Sequence, residues 1–160
     1  MADRAFSSRQ AEELADAFSR NGVEYLFIGK SGAIILGYPD TTQDADVFPA
    51  KSPESGRRLV AALRDLGFAP DPTLEAEIVR GKVFVQIRSG PFDLDLVFAP
   101  DGIDSFAAAK SREIVVDGRF HVASLDDIIR SKRAANRTKD RESLPRLEQF
   151  AAWLRTRRQG

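Results

Sequence analysis

The chain has 160 residues, of which 42% are hydrophobic and 30% charged, the composition of one soluble globular domain long enough to bury a core. The lack of cysteine and the single histidine, His121, exclude disulfide frameworks, thiol nucleophiles, cysteine-ligated zinc and multi-histidine metal sites. Charge is balanced overall, but residues 1–123 hold 14 Lys/Arg against 19 Asp/Glu while 124–160 hold 10 against 5, so the first part suits cations and the tail suits phosphates.

In chain order, Ala11, Leu14, Ala15 and Phe18 recur on one face of a predicted helix over 9–20, capped by Ser7 or Ser8 and ended by Gly22. A strand over 23–28 stops at Gly29, and Ser31–Leu36 reads as a short buried helix closed by Gly37. After a loop over 38–43, Asp44–Phe48 is the second predicted strand. Ser52-Pro53 opens an amphipathic helix that carries Leu59, Val60, Leu63 and Leu66 and ends at Gly67. Lys82–Ile87 and Phe92–Phe98 read as antiparallel strands around the turn at 88–91, followed by a short helix over 103–110. Asp117-Gly118 joins 113–116 to 120–123 as a hairpin. Ser124-Leu-Asp-Asp127 resembles a capping box before a helix to about Asn136, and Leu144, Leu147, Phe150 and Leu154 mark a last helix. The expectation is a single α+β domain over 1–160: a small mixed sheet flanked by helices, with a core over about 23–123 and a basic helical part over 124–157.

No apolar run approaches the roughly 20 residues of a membrane helix, so no membrane partner is expected. Met1-Ala-Asp-Arg-Ala lacks the apolar core of a secretory signal, which implies a cytoplasmic location.

Side chains two apart on a strand share a face, so Asp44 and Asp46 project together, and Asp93 and Asp95 do the same. Aspartate is disfavoured in strands. Four of them can mean a solvated or charge-protected edge, or a divalent-cation site built from two strands; only oxygen-rich ions such as magnesium, manganese or calcium would suit it. Ile28-Gly29-Lys30-Ser31-Gly32 ends a strand and opens a helix, where glycine allows close backbone approach and free N–H groups suit a phosphate. The same Gly-x-x-Gly is also a common tight turn.

Together, the glycine turn, short helix and Asp44-Ala45-Asp46-Val47 strand resemble the nucleotidyltransferase superfamily of the DNA polymerase beta type, and more narrowly its small abortive-infection toxin-like (AbiEii) branch. Asp95-Leu-Val-Phe-Ala-Pro resembles that family's third-carboxylate strand. Ser124–Lys132 with Arg137-Thr-Lys-Asp140 resembles its C-terminal signature. The likeness spans roughly 23–150 and implies a nucleotidyltransferase-like fold. Its implied activity is magnesium- or manganese-dependent transfer of a nucleoside monophosphate from a nucleoside triphosphate to a hydroxyl. Asp44, Asp46 and Asp95 would be catalytic and hold metal, while Gly29, Lys30, Ser31 and Lys132 would bind nucleotide phosphates. Asp93 competes with Asp95 for the third role. Two departures stand out: Lys30 replaces Gly or Ser, and Asp40 replaces an arginine common in relatives.

The acceptor is open between RNA and protein, and the resemblance also allows an antitoxin as partner. Other readings are a degenerate protein that binds nucleotide or a protein partner, and transfer to a small molecule of the antibiotic type. Lys132 reads equally as an exposed helical lysine. Arg133, Arg137, Lys139, Arg141 and Arg146 could meet RNA phosphates, a solvated face or an acidic partner; no stacking platform for single strands is expected among them. His121 is expected to pack or face solvent rather than act as a base.

Overall fold

The computed structural model describes residues 6–159, with side chains to Arg157; the leader reading at 1–5 lies outside the described residues. Helix α1 (Ser8–Arg20) starts where Ser7 accepts from the Gln10 N–H and the Gln10 side chain accepts from the Ser7 N–H, a capping box that satisfies two otherwise unpaired donors. Strand β1 (Tyr25–Phe27), helix α2 (Gly29–Ile35) and strand β2 (Asp44–Pro49) follow. Helix α3 (Pro53–Asp65) is capped by Ser52, whose side chain accepts from Ser55 N.

The sequence reading left 68–81 unassigned, and the chain there forms α4 (Pro72–Arg80). Its start repeats the device of α3: Asp71 accepts from Leu74 N, Pro72 fills the first turn, and Gly81 closes the helix at φ 75°. The apolar stripe is thin, because Ile78 is the helix's one buried residue. Strands β3 (Phe84–Ile87) and β4 (Asp93–Val97) lead to α5 (Phe106–Ser111). The hairpin β5 (Ile114–Val116) and β6 (Phe120–Val122) pairs Val116 with Phe120 and turns through 117–119, with Asp117 at φ 54° and Gly118 at φ 69°, left-handed conformations that aspartate and glycine tolerate. Helix α6 (Leu125–Ala135) ends at Asn136 in the left-handed region. Helix α7 (Thr138–Gln159) begins a turn and a half before its predicted apolar stripe and continues through Pro145.

The six strands form one mixed sheet in the order β3-β4-β2-β1-β6-β5, so the α+β expectation holds. Strands β2 and β4 are parallel neighbours, with Asp44 level with Asp93 and Asp46 level with Asp95. Strand β3 pairs antiparallel with β4. Alternation then divides this half of the sheet into two unlike faces. Ala45, Val47, Val85, Ile87, Leu94 and Leu96 are buried in the main core with Leu14 and Phe18 of α1 and Leu59 and Leu63 of α3. The opposite face carries the four aspartates. A second apolar cluster, with Ala33, Tyr38, Leu125, Ile129, Leu147 and Phe150, ties α2 to α6 and α7 and so fixes the C-terminal helices beside the carboxylate face.

Candidate active site

The carboxylate face is the floor of a cleft of about 710 Å³, within the roughly 300–1,000 Å³ range of small-molecule sites. Alternate residues of three adjacent strands line it: Asp44, Asp46 and Phe48 from β2, Asp95 and Val97 from β4, and Phe84 and Gln86 from β3. Gly29 and Lys30 at the start of α2 form one wall. Lys132 of α6, with Arg137 and Lys139 at the start of α7, forms another.

The first wall comes close to the floor. Gly29 has φ 61°, and a Cβ placed on it would lie 2.5 Å from Asp46 Oδ2; both the backbone angle and the space therefore require glycine. Ser31 belongs to the same turn but not to the cleft. Its side chain is fully buried, and its hydroxyl accepts from Asp46 N at 2.9 Å while donating to Ile28 O at 3.0 Å. The sequence reading gave Ser31 to phosphate; the structure uses its hydroxyl to hold β2, and hence Asp46, against the turn. Lys30 lines the cleft, and its Nζ lies 3.0 Å from Asp40 Oδ2. Two positions singled out in the sequence, 30 and 40, are thus paired with each other.

Asp95 and Asp93 share a face, but Asp95 is the one that lines the cleft. Asp95 is 6% exposed. Its Oδ1 lies 2.8 Å from Arg88 Nη1 yet makes no hydrogen bond, so the contact is an ion pair of poor angular geometry. Arg88 Nη2 also stands 3.6 Å from Asp44 Oδ2. The sequence reading placed Arg88 in a turn and gave it no role. Extending the β3 alternation of Phe84 and Gln86 by two residues puts Arg88 on the carboxylate side, which is the signal that would have found it.

Asp46 carries the electrostatic consequence. Burial raises its carboxyl, the Asp95 and Asp44 charges raise it further, and the Lys132 ammonium opposes them, leaving it at about 7. Lys132 is itself pulled below its ordinary value by burial, against the pull of Asp140 and Asp46. Its side chain is 15% exposed, with Nζ 3.8 Å from Asp140 Oδ1, so it is a cleft residue and not a free surface lysine. Asp140 is fully buried and anchors this wall: Arg137 Nε donates to its Oδ2 at 2.7 Å and Arg137 N donates to the same oxygen at 3.1 Å. His121 lies apart from the cleft, with Nδ1 2.9 Å from Glu113 Oε2 and 3.2 Å from Lys110 Nζ.

The donors fit a hard divalent cation in kind: carboxylate oxygens, one of them buried without a hydrogen bond, and a mutual repulsion that a cation would relieve. Among the described residues no three acidic or histidine side chains are already gathered into a cage. Arg88 supplies the positive charge between Asp44 and Asp95. No protein-family model matches the chain, and no curated protein matches it. Among the described residues no helix is long and apolar enough to cross a membrane.

Proposed function

We propose that the chain is a nucleotidyltransferase of the DNA polymerase beta type that transfers a nucleoside monophosphate from a nucleoside triphosphate to a hydroxyl acceptor. The observation that carries this reading is the meeting of Asp44, Asp46 and Asp95 on the floor of a cleft whose walls hold Lys30, Lys132, Arg137 and Lys139. Phosphoryl transfer consists mostly of positioning and charge neutralisation, and this arrangement offers both: acidic oxygens below and fixed ammonium and guanidinium groups at the sides. Magnesium or manganese, held by Asp44, Asp46 and Asp95, would supply charge neutralisation on the triphosphate and polarise its phosphorus.

The chain's own residues do the rest. The bare backbone at Gly29 lets the Asp46 carboxylate lie close against the start of α2. Lys132 and Arg137 neutralise the leaving pyrophosphate, with Asp140 locking Arg137 in place. Asp95 orients the acceptor hydroxyl and takes its proton as the new oxygen–phosphorus bond forms and the bond to pyrophosphate breaks. The attacking group therefore enters from the β4 side of the cleft.

A second reading rests on Arg88. Its pairing with Asp95 and Asp44 is also what a nucleotide-binding protein that has lost turnover would show. Label transfer separates the two. Each α-labelled nucleoside triphosphate is incubated with magnesium or manganese and total RNA or total protein, using wild type and Asp44→Ala/Asp46→Ala. Label that appears with wild type alone is expected and identifies donor and acceptor class. Triphosphate binding without label would replace transfer by binding.

A further inference from the structure

A second recess, of about 460 Å³, lies outside the carboxylate cleft, between the loop after α2 and the outer face of α7. Its lining includes Tyr38, Pro39, Arg146, Phe150 and Trp153. Phe150 meets Tyr38 edge-on at 5.6 Å and lies against Trp153 at 5.9 Å with only 25° between the rings. Trp153 is 52% exposed. Arginines border both ends: Arg146 Cζ lies 5.5 Å from the Tyr38 ring centre, and Arg157 Cζ lies 5.1 Å from that of Trp153.

One carboxylate, Asp40, stands between the recess and the cleft. Asp40 pairs with Lys30, which lines the cleft, at 3.0 Å, and with Arg146, which lines the recess, at 3.9 Å. The Arg146 side chain is 61% exposed, and such a long, solvated pair contributes little. A phosphate can therefore compete with Asp40 for this guanidinium.

We propose that this recess binds single-stranded nucleic acid, with a base stacked on the exposed Trp153 ring and the adjoining phosphates on Arg146 and Arg157. The half-exposed Trp153 ring, backed by the buried Phe150 ring, presents the one surface that every base shares, and the flanking arginines supply sequence-independent attraction to the backbone. An acidic peptide would use the arginines but leave the ring faces unmatched. The sequence suggests no such platform among the basic residues, and this one lies apart from them: Tyr38 comes from a distant loop, and Phe150 and Trp153 lie beyond the basic cluster along α7. As a statement about the acceptor, the inference rests on the transfer reading, in which a strand held here would have to pass Asp40 to reach the Lys30 wall.

Trp153 is the chain's one tryptophan, so its fluorescence reports from the recess itself. The full chain in EDTA is titrated with a short oligouridylate, a short oligothymidylate and polyglutamate, in wild type and in Asp44→Ala/Asp46→Ala. Saturable quenching by the oligonucleotides in both proteins is expected, weakened by salt. Trp153→Ala, followed by anisotropy of a labelled oligonucleotide, should bind at least about fivefold more weakly. Arg146→Glu/Arg157→Glu keeps the reporter and should show a similar loss. Quenching by polyglutamate alone, no quenching by any of the three, or unchanged binding by Trp153→Ala would overturn the proposal. Label transfer without oligonucleotide quenching counts against the recess alone, and quenching without transfer counts against the transferase reading alone.

Discussion

Replacing Arg88 by alanine tests whether the cleft floor is a cation site. In the structure the guanidinium stands 2.8 Å from Asp95 and 3.6 Å from Asp44, while burial and those same acids already push the Asp46 carboxyl up to about 7. Two unit charges about 4 Å apart interact by about 4 kcal/mol at an effective dielectric of 20. The Arg88 side chain is 40% exposed, so solvent screening reduces this considerably, and a buried carboxylate losing its partner typically costs about 1–3 kcal/mol. For a chain of this size, roughly 2–4 °C per kcal/mol converts about 2 kcal/mol to a Tm lowered by roughly 4–8 °C in EDTA. Magnesium should reverse the loss, since the ion and Arg88 compete for the same oxygens. Removing the competitor should also raise apparent magnesium affinity by about tenfold if its pairing holds back about 1.4 kcal/mol. Thermal melts of wild type and Arg88→Ala across a magnesium titration measure both quantities. Equal Tm values in EDTA with equal magnesium shifts would refute the reasoning, because Arg88 would then not be compensating the floor.

Gly29→Ala places a methyl group 2.5 Å from Asp46 Oδ2 at a backbone φ of 61°. Activity in the label-transfer assay should fall by at least about a hundredfold, as displacement of a positioned group by about 1 Å can cause, while far-ultraviolet circular dichroism still reports a folded chain. Asp140→Asn should lower Tm at neutral pH by roughly 3–12 °C, from about 1.5–3 kcal/mol for charge-assisted hydrogen bonds. Burial pushes the Asp140 carboxyl up, but the Arg137 hydrogen bonds and charge outweigh it and hold it below its ordinary 3.8. A depressed carboxyl stabilises the fold above its unfolded value and loses that contribution as pH falls through its folded value. The gap between wild type and Asp140→Asn should therefore close below about pH 4, and a gap that persists there would show that the variant acts through packing instead.

The elements that the sequence revealed are those with local chemistry at their ends. Ser7 with Gln10, Ser52-Pro53, Asp117-Gly118 and Ser124 each fix a cap or turn within a few residues, and the strand alternation of Asp44 and Asp46 predicts their shared face without tertiary information. Helix α4 escaped because one buried residue, Ile78, is too little periodicity to mark a helix, although Asp71-Pro72 repeats the signal at Ser52-Pro53. Arg88, Ser31 and the Trp153 recess escaped for a different reason. The direction of the Ser31 hydroxyl depends on β2 lying alongside the turn. The roles of Arg88 and Trp153 depend on which residues distant in sequence the fold sets beside them.

Charge at the cleft wall shows why substitutions there are judged together and not one at a time. Taken singly against the pattern that the sequence resembles, Asp40 stands in place of a cation and Lys30 in place of a small residue; each reads as damage to a phosphate site. In the fold Lys30 pairs with Asp40 at 3.0 Å, and Arg146 reaches the same carboxylate at 3.9 Å. Two cations share one anion, so the group keeps a net charge of about +1 for an incoming phosphate. Arg146 comes from α7, which the second apolar cluster of Tyr38, Leu147 and Phe150 presses against the loop after α2. The cation on the recess side of Asp40 is therefore a product of C-terminal packing. Loosening that cluster should weaken oligonucleotide binding at the recess even though none of its residues is charged.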